Sequence, residues 1–266
     1  MSGAPVGIFD SGIGGLTVAR AIYERLPQES TIYFGDTARV PYGPKSPETV
    51  TRYSLEILHW LLGQGVKAVV VACNTSTAHA LRALQKATPV PVLGVIKPGA
   101  RAAIAAGGGG PIGVIGTAGT IASGAYNRAI QALAPGLPVI QRACPLFVPL
   151  VEEGWFEHPA TEMVAVDYLR ELREACIRSL VLGCTHYPLL KPLLQRVMGP
   201  EVKLIDSGEA TAAALETILA EKSLAAPPSA EGCHRFIVSD DEARFRQVGS
   251  RFIGERLDKA EVVPLG

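Results

Sequence analysis

Three stretches of this chain recur in the same order a little over a hundred residues further on, and this duplication limits the fold more than any other feature. PVGIFDSGIGGLTVARAIYERLP near the start is matched by PIGVIGTAGTIASGAYNRAIQALAP from Pro111. AVVVACNTSTAHALRAL is matched by SLVLGCTHYPLLKPLL, and VPVLGVIKPGARAAI by VKLIDSGEATAAAL. The offsets are close: Ile8 to Val114 is 106 residues, Cys73 to Cys184 is 111, and Ile96 to Ile205 is 109. Each stretch is a short apolar run followed by an amphipathic segment, which reads as a strand and then a helix. A repeat of this kind predicts two similar α/β units facing each other.

Between the repeats the alternation continues. TIYFGD reads as a strand, and ETVTRYSLEILHWLLGQG as a helix with Tyr53, Ile57, Trp60 and Leu61 at spacings of three and four. Strands alternating with helices give parallel sheets with crossover helices. The expected fold is α/β, with two pseudo-symmetric doubly wound parallel-sheet domains and the active site in the cleft between them. Residues 1–97 plus 208–266 are expected to form the first domain and 98–207 the second. AAPPSAEGC (225–233) is a Pro/Ala-rich loop. The strand, loop and helix of HRFIVSDDEARFRQVGSRFIGERL lie beyond the second unit and should complete the first.

Composition excludes some functions. With 266 residues, 48% of them hydrophobic, the chain has ample apolar material for a core. Lys plus Arg and Asp plus Glu are 25 each, so there is no basic field for nucleic acid and no acidic tail. A small anionic substrate stays possible, held by local groups. The opening MSGAPVGIFDSG has no secretory pattern, and no run of 18 apolar residues predicts a membrane span. The expectation is a cytoplasmic protein with no membrane contact. The five cysteines, Cys73, Cys144, Cys176, Cys184 and Cys233, show neither C-x-x-C nor zinc-ligand spacing, so no metal is expected.

Cys73 and Cys184 stand at equivalent places in the two units. Each follows an apolar strand and precedes small polar residues and a helix. Strand ends of this kind line the ligand crevice of open parallel sheets. A helix N-terminus lowers the pKa of a thiol beside it, and Asn74, Thr75, Thr185 and nearby N–H groups can bind a carboxylate. Two facing units would set the thiols across one cleft. That suits inversion of a stereocentre, where one group removes a proton from one face and another returns one to the opposite face. Taken singly, each cysteine reads as a packing residue; the matched pair favours function. Cys144, Cys176 and Cys233 lack the placement and read as structural. In DSGIGG, Asp10 has no counterpart, since GTAGT carries Gly116 there. It reads either as a group for a substrate ammonium or as a helix cap. His186 follows Cys184 by two residues where the first unit has Thr75, so the halves are chemically unequal. Tyr42 in PYGPKS, and Glu152 with Glu153, are weaker candidates on pattern alone.

Taken together, IFDSGIGGLTV, PYG followed by KS, ACNTSTA, CPLFVPLVEEG, GCTHYPLL and the VSDD tail resemble the glutamate racemase family over nearly the whole chain. The resemblance implies a two-domain fold with a pseudo-twofold cleft. It implies catalysis without pyridoxal phosphate, nucleotide or metal. By position, Cys73 would deprotonate D-glutamate and Cys184 L-glutamate. Asp10, His186 and Glu152 match assisting groups. Asp10, Ser11, Tyr42, Gly43, Asn74, Thr75, Thr185 and His186 match substrate contacts, with Thr117 and Thr120 in a matching loop. It further implies a bacterial cytoplasmic enzyme, commonly a homodimer, that supplies D-glutamate for peptidoglycan. The developing carbanion has no electron sink, so the cleft must stabilise it and exclude water, and closure on binding is expected. Rival readings are a racemase for another substrate such as aspartate or a hydantoin, a two-lobed binding protein, a phosphotransferase and a thiol redox protein. The paired thiols disfavour the second. The third lacks an acidic pair for Mg²⁺, and the fourth lacks C-x-x-C.

Overall fold

The computed structural model describes residues 2–257 and 259–265. Its strands are β1 (Val6–Asp10), β2 (Thr31–Gly35), β3 (Ala68–Val71), β4 (Val92–Gly94), β5 (Ile112–Gly116), β6 (Val139–Ala143), β7 (Ser179–Gly183), β8 (Lys203–Asp206), β9 (His234–Val238) and β10 (Glu261–Val262). The helices that matter for the site are α1 (Leu16–Arg25), α2 (Pro47–Gly63), α3 (Asn74–Ala87), α4 (Ile96–Gly107), α5 (Ala118–Ala122), α6 (Ala125–Leu133), α7 (Phe147–Glu152), α8 (Pro159–Glu174), α9 (Lys191–Met198), α10 (Ser207–Glu221) and α11 (Glu242–Ile253). Among the described residues, no helix is long and apolar enough to cross a membrane.

The strands form two parallel sheets, ordered β10-β9-β2-β1-β3-β4 and β6-β5-β7-β8. The cores of the two sheets share one topology, since β2-β1-β3-β4 and β6-β5-β7-β8 are the same order of equivalent strands. Both sheets are covered by helices, which is why VVV and LVL are unbroken apolar runs rather than alternating ones. Register fixes the equivalence residue by residue. Val6 faces Ala68 in the first sheet, and Ile112 faces Ser179 in the second. Cys73 and Cys184 each lie five residues beyond those partners (73 − 68 and 184 − 179).

The third match is corrected by the same register. Val70 pairs with Leu93 and Val181 with Ile205, so Ile205 corresponds to Leu93 at an offset of 112 (205 − 93) and not to Ile96. Val95 and Ile96 extend the apolar run of VLGVI, but they are the buried start of α4 rather than strand. An apolar run alone does not distinguish the end of a strand from the first turn of a buried helix.

The helices that follow the last strand of each unit cross over. Helix α4 leaves β4 yet packs on the second sheet, with Ala100 and Ala103 among Ile112, Val114 and Val181. The Ser179 hydroxyl donates to the Ala103 carbonyl at 3.0 Å. Helix α10 leaves β8 yet packs against α1, with Leu215 and Leu219 among Val18 and Ile22 and an Arg25–Glu216 ion pair at 2.7 Å. Strand β9 pairs with β2, and the Arg20 guanidinium on α1 donates to the Phe252 carbonyl on α11 at 3.3 Å. The tail loop is tied down at the far edge, where Ala226 N–H donates to buried Glu29 at 2.7 Å and Lys67 pairs with that carboxylate at 2.6 Å.

Two cysteines are not where packing residues would be. Cys144 is buried, but Cys176 and Cys233 are exposed. Each lies at the entrance of a strand, β7 or β9, before the chain enters the sheet. Cys176 takes a positive φ of 49° there.

Candidate active site

The C-terminal ends of β1 and β3 in one sheet, and of β5 and β7 in the other, converge on one cavity of about 50 Å³. Both Cys73 and Cys184 line it. So do Ser11, Tyr42, Gly43, Asn74, Thr75, Thr117, Glu152, Thr185 and His186. Asp10 and Thr120 are buried directly behind that lining. The sequence-matched positions are therefore brought together from both units.

On the first side, Cys73 caps α3, its sulfur accepting from Ser76 N–H at 3.4 Å. Its thiol reaches the Ser11 hydroxyl at 3.7 Å. Asp10 ends β1 fully buried, accepting from Gly12 N–H at 3.0 Å and from the Thr185 hydroxyl at 3.4 Å. Burial holds the Asp10 carboxyl above its ordinary range, opposed by the His186 charge and the Gly15 and Gly12 amides. The expectation of a lowered Cys73 pKa is overturned. Burial, and then the Asp10 charge, push the thiol up to about 11, outweighing the Ser76 amide of the helix terminus.

The second side is built differently. Cys184 Sγ lies 3.9 Å from His186 Nδ1, and His186 Nε2 lies 3.0 Å from Glu152 Oε1. Burial opposes the charged imidazole, but its bonds to Cys184 and Glu152 prevail and raise it to about 10. Glu152 also resists burial. Its bonds to His186 and Arg244 hold it below the ordinary carboxylate range. Glu152 closes α7, a half-buried position rather than a solvated helix end. Thiol, imidazole and carboxylate in series can move a proton to or from the sulfur.

Polar groups from both units complete the cavity. The hydroxyls of Thr75 and Thr117 meet at 2.9 Å, and Thr120 joins them at 3.0 Å from Thr117. Asn74 Oδ1 accepts from the Tyr126 hydroxyl at 2.7 Å, while its Nδ2 is buried with no partner. A buried amide donor without an acceptor is costly, and at a cavity wall it is open to a bound group. Tyr42 is buried and donates its hydroxyl to Asp36, which also accepts from the Ser239 hydroxyl at 2.9 Å and from Arg39 at 2.8 Å. Tyr126, Ser239 and Arg244 escaped the sequence reading because each acts through a partner remote in sequence, and Asp36 because no pattern in the chain links it to Tyr42 or to the distant Ser239. The VSDD tail contained one of them, Ser239.

The Gly-rich loop is held at close quarters. A Cβ on Gly14 would stand 2.4 Å from both His186 Nδ1 and Thr185 Oγ1, and one on Gly15 2.4 Å from the Asp10 Cβ. Gly14 lets the first unit's loop lie flush against the Cys184 loop of the second, and Gly15 lets it pack on its own Asp10.

The family model described as Asp/Glu/Hydantoin racemase matches residues 16–215, most of the chain. The chain belongs to this racemase family. A glutamate racemase of Geobacter metallireducens is 56% identical over 98% of the chain and 96% of that relative. The crystal structure of a glutamate racemase isoform from Bacillus anthracis superposes with a TM-score of 0.94 at 41% identity, covering 100% of this chain and 98% of that one. A glutamate racemase from Francisella tularensis, solved in complex with D-glutamate, gives a TM-score of 0.93 at 38% identity, covering 100% and 99%. These solved structures match both sheets over the full length of the chain.

Proposed function

We propose that the chain is a glutamate racemase that interconverts L- and D-glutamate by a two-base proton transfer. The observation that carries this is the pair of thiols, at register-equivalent positions in two units, lining one cavity. The high identity to glutamate racemases over nearly the full length supports glutamate as substrate. In one direction Cys184 takes the α-proton of L-glutamate and the Cys73 thiol delivers its proton to the opposite face. The product is D-glutamate, with the charge moved from one sulfur to the other. The reverse begins on Cys73. Asp10 works beside Cys73, and His186 with Glu152 beside Cys184. The α3 N-terminus, Asn74 Nδ2 and the Thr75, Thr117, Thr120 and Thr185 hydroxyls are suited to a substrate carboxylate, with Ser11, Tyr42 and Gly43 as further contacts. Burying these donors strengthens each contact with the developing carbanion. No cofactor enters this scheme.

The division into 1–97 plus 208–266 and 98–207 belongs to the same reading, since it assigns α4 and α10 to the units on which they pack. So do a cytoplasmic homodimer and a role in supplying D-glutamate for peptidoglycan, which rest on the family resemblance.

Exchange of the α-hydrogen in deuterated water tests the reading. The wild type should racemise glutamate without added cofactor, and Cys73→Ser and Cys184→Ser should each lower racemisation by at least about a thousandfold. The two variants should also differ in which enantiomer they still exchange. Normal racemisation by both variants would make the thiols packing residues and end the two-base assignment.

A further inference from the structure

We propose that Arg244, on α11, is a positioning residue for the Cys184 half of the reaction, holding the Glu152 carboxylate in the orientation that His186 uses. This inference rests on the glutamate racemase reading above. The two oxygens of Glu152 are divided between two partners. Oε1 faces His186 Nε2 at 3.0 Å, and Oε2 accepts from the Arg244 guanidinium at 3.3 Å. A carboxylate bound at both oxygens cannot swing away from the imidazole without breaking the second contact.

The rest of α11 reinforces the hold. Arg251, two turns further on and on the same face, donates to the Glu152 carbonyl at 2.8 Å. The turn after α7 is shaped to admit it. Gly154 has φ of 78°, and a Cβ there would stand 2.8 Å from Arg251 Nη1. Phe252, the next residue of α11, sets its ring edge-on to His186 with centroids 5.6 Å apart. Since β9 is part of the first sheet, α11 joins that unit to the proton relay of the second.

The charged groups around Glu152 are His186 from the β7 end and Arg244 from α11, with Arg251 at its backbone. Asp240 and Asp241, just before α11, share an adjoining cleft with Arg244 and Glu152. Arg244 is about half exposed, so its pairing with Glu152 adds little to stability. Its effect is on the orientation and ionisation of Glu152. Together with His186, Arg244 favours the charged carboxylate. Without Arg244, Glu152 would take up a proton at higher pH, and the acidic limb of the rate profile would move upward.

The test uses the full-length chain with Arg244→Gln and Arg244→Lys. Enantiomers have equal free energy, so any variant has the same kcat/KM in both directions, and a one-sided effect must be sought in isotope effects. In Arg244→Gln, kcat should fall about tenfold, and the acidic limb should rise by about half a pH unit. The primary isotope effect should grow with α-deuterated L-glutamate, whose proton leaves to Cys184, and shrink with α-deuterated D-glutamate. Arg244→Lys should recover most of the rate and the profile. An unmoved limb, or isotope effects that change equally for the two enantiomers, would overturn the assignment while leaving the racemase reading intact. A wild type that does not racemise glutamate would overturn both.

Discussion

His186 is the residue at which the electrostatics of the site become measurable in the whole protein. Folding raises its pKa from 6.5 to about 10, through Cys184 and Glu152 against the opposing effect of burial. A base whose folded pKa is raised stabilises the native state fully below its unfolded pKa, and that stabilisation is lost as pH rises through the folded value. The Tm should therefore fall between about pH 6.5 and pH 10, by the equivalent of a few kcal/mol. Cys73 and Cys144, both held protonated by burial, contribute with the same sign from about pH 9 upward, so the part of the fall below that belongs to His186. His186→Asn isolates the imidazole. It should flatten the lower part of the Tm curve, as followed by circular dichroism at fixed ionic strength. A wild-type Tm constant across this range would mean that His186 is neutral in the folded protein.

At the scale of elements, the loop after β1 and the loop after β7 are fitted to each other, and Gly14 is the point of contact. An alanine there meets His186 and Thr185 at 2.4 Å. Side chains rather than backbone must give way, so Gly14→Ala should fold with a loss of about 1–3 kcal/mol. The displaced imidazole should lower kcat about a hundredfold. Stopped-assay kinetics beside a thermal melt would check this, and an unimpaired kcat would show that the loops tolerate separation. The DSGIGG motif was visible in the sequence, but its partner was not. The same division runs through the molecule. The strand-end thiols were legible because a repeat puts Cys73 and Cys184 in one frame, and apolar runs marked β1, β3, β5 and β7. The register of β4 against β8 was not legible, because Val95 and Ile96 continue an apolar run into a helix. The exposure of Cys176 and Cys233 was missed because residue type says little about the junctions where strands begin. The contacts of Asp36 with Ser239, Tyr126 with Asn74, and Arg244 with Glu152 join residues 52 or more apart in sequence, and a linear pattern carries no trace of them.

For the molecule as a whole, the exchange of α4 and α10 leaves two crossings, near 94–96 and 206–208, as the chain's routes between the sheets before α11 returns to the cleft. The cavity between the units, about 50 Å³, has room for only a few waters. A glutamate carries two carboxylates, so the entry of substrate should require the units to part. The loop of Gly43 and the loop of Thr117 meet over this cavity. Gly119 N–H donates to the Gly43 carbonyl at 2.9 Å, and a Cβ on Gly43 would lie 3.0 Å from the Thr117 Cβ. Cysteines at both positions would be close enough to bridge after a small adjustment, since a disulfide sets Cβ atoms about 3.8 Å apart. The double variant Gly43→Cys with Thr117→Cys, its bridge quantified by mass spectrometry, should racemise when reduced. It should lose at least about tenfold in rate when oxidised, and recover with a thiol reductant. Loss on oxidation in the double variant, with none in the wild type oxidised in parallel, identifies parting of the units as a step of turnover, because the catalytic thiols Cys73 and Cys184 meet the same oxidant in both proteins. Full activity in the quantitatively bridged protein would mean that glutamate reaches the thiols by another opening, with the two loops closed.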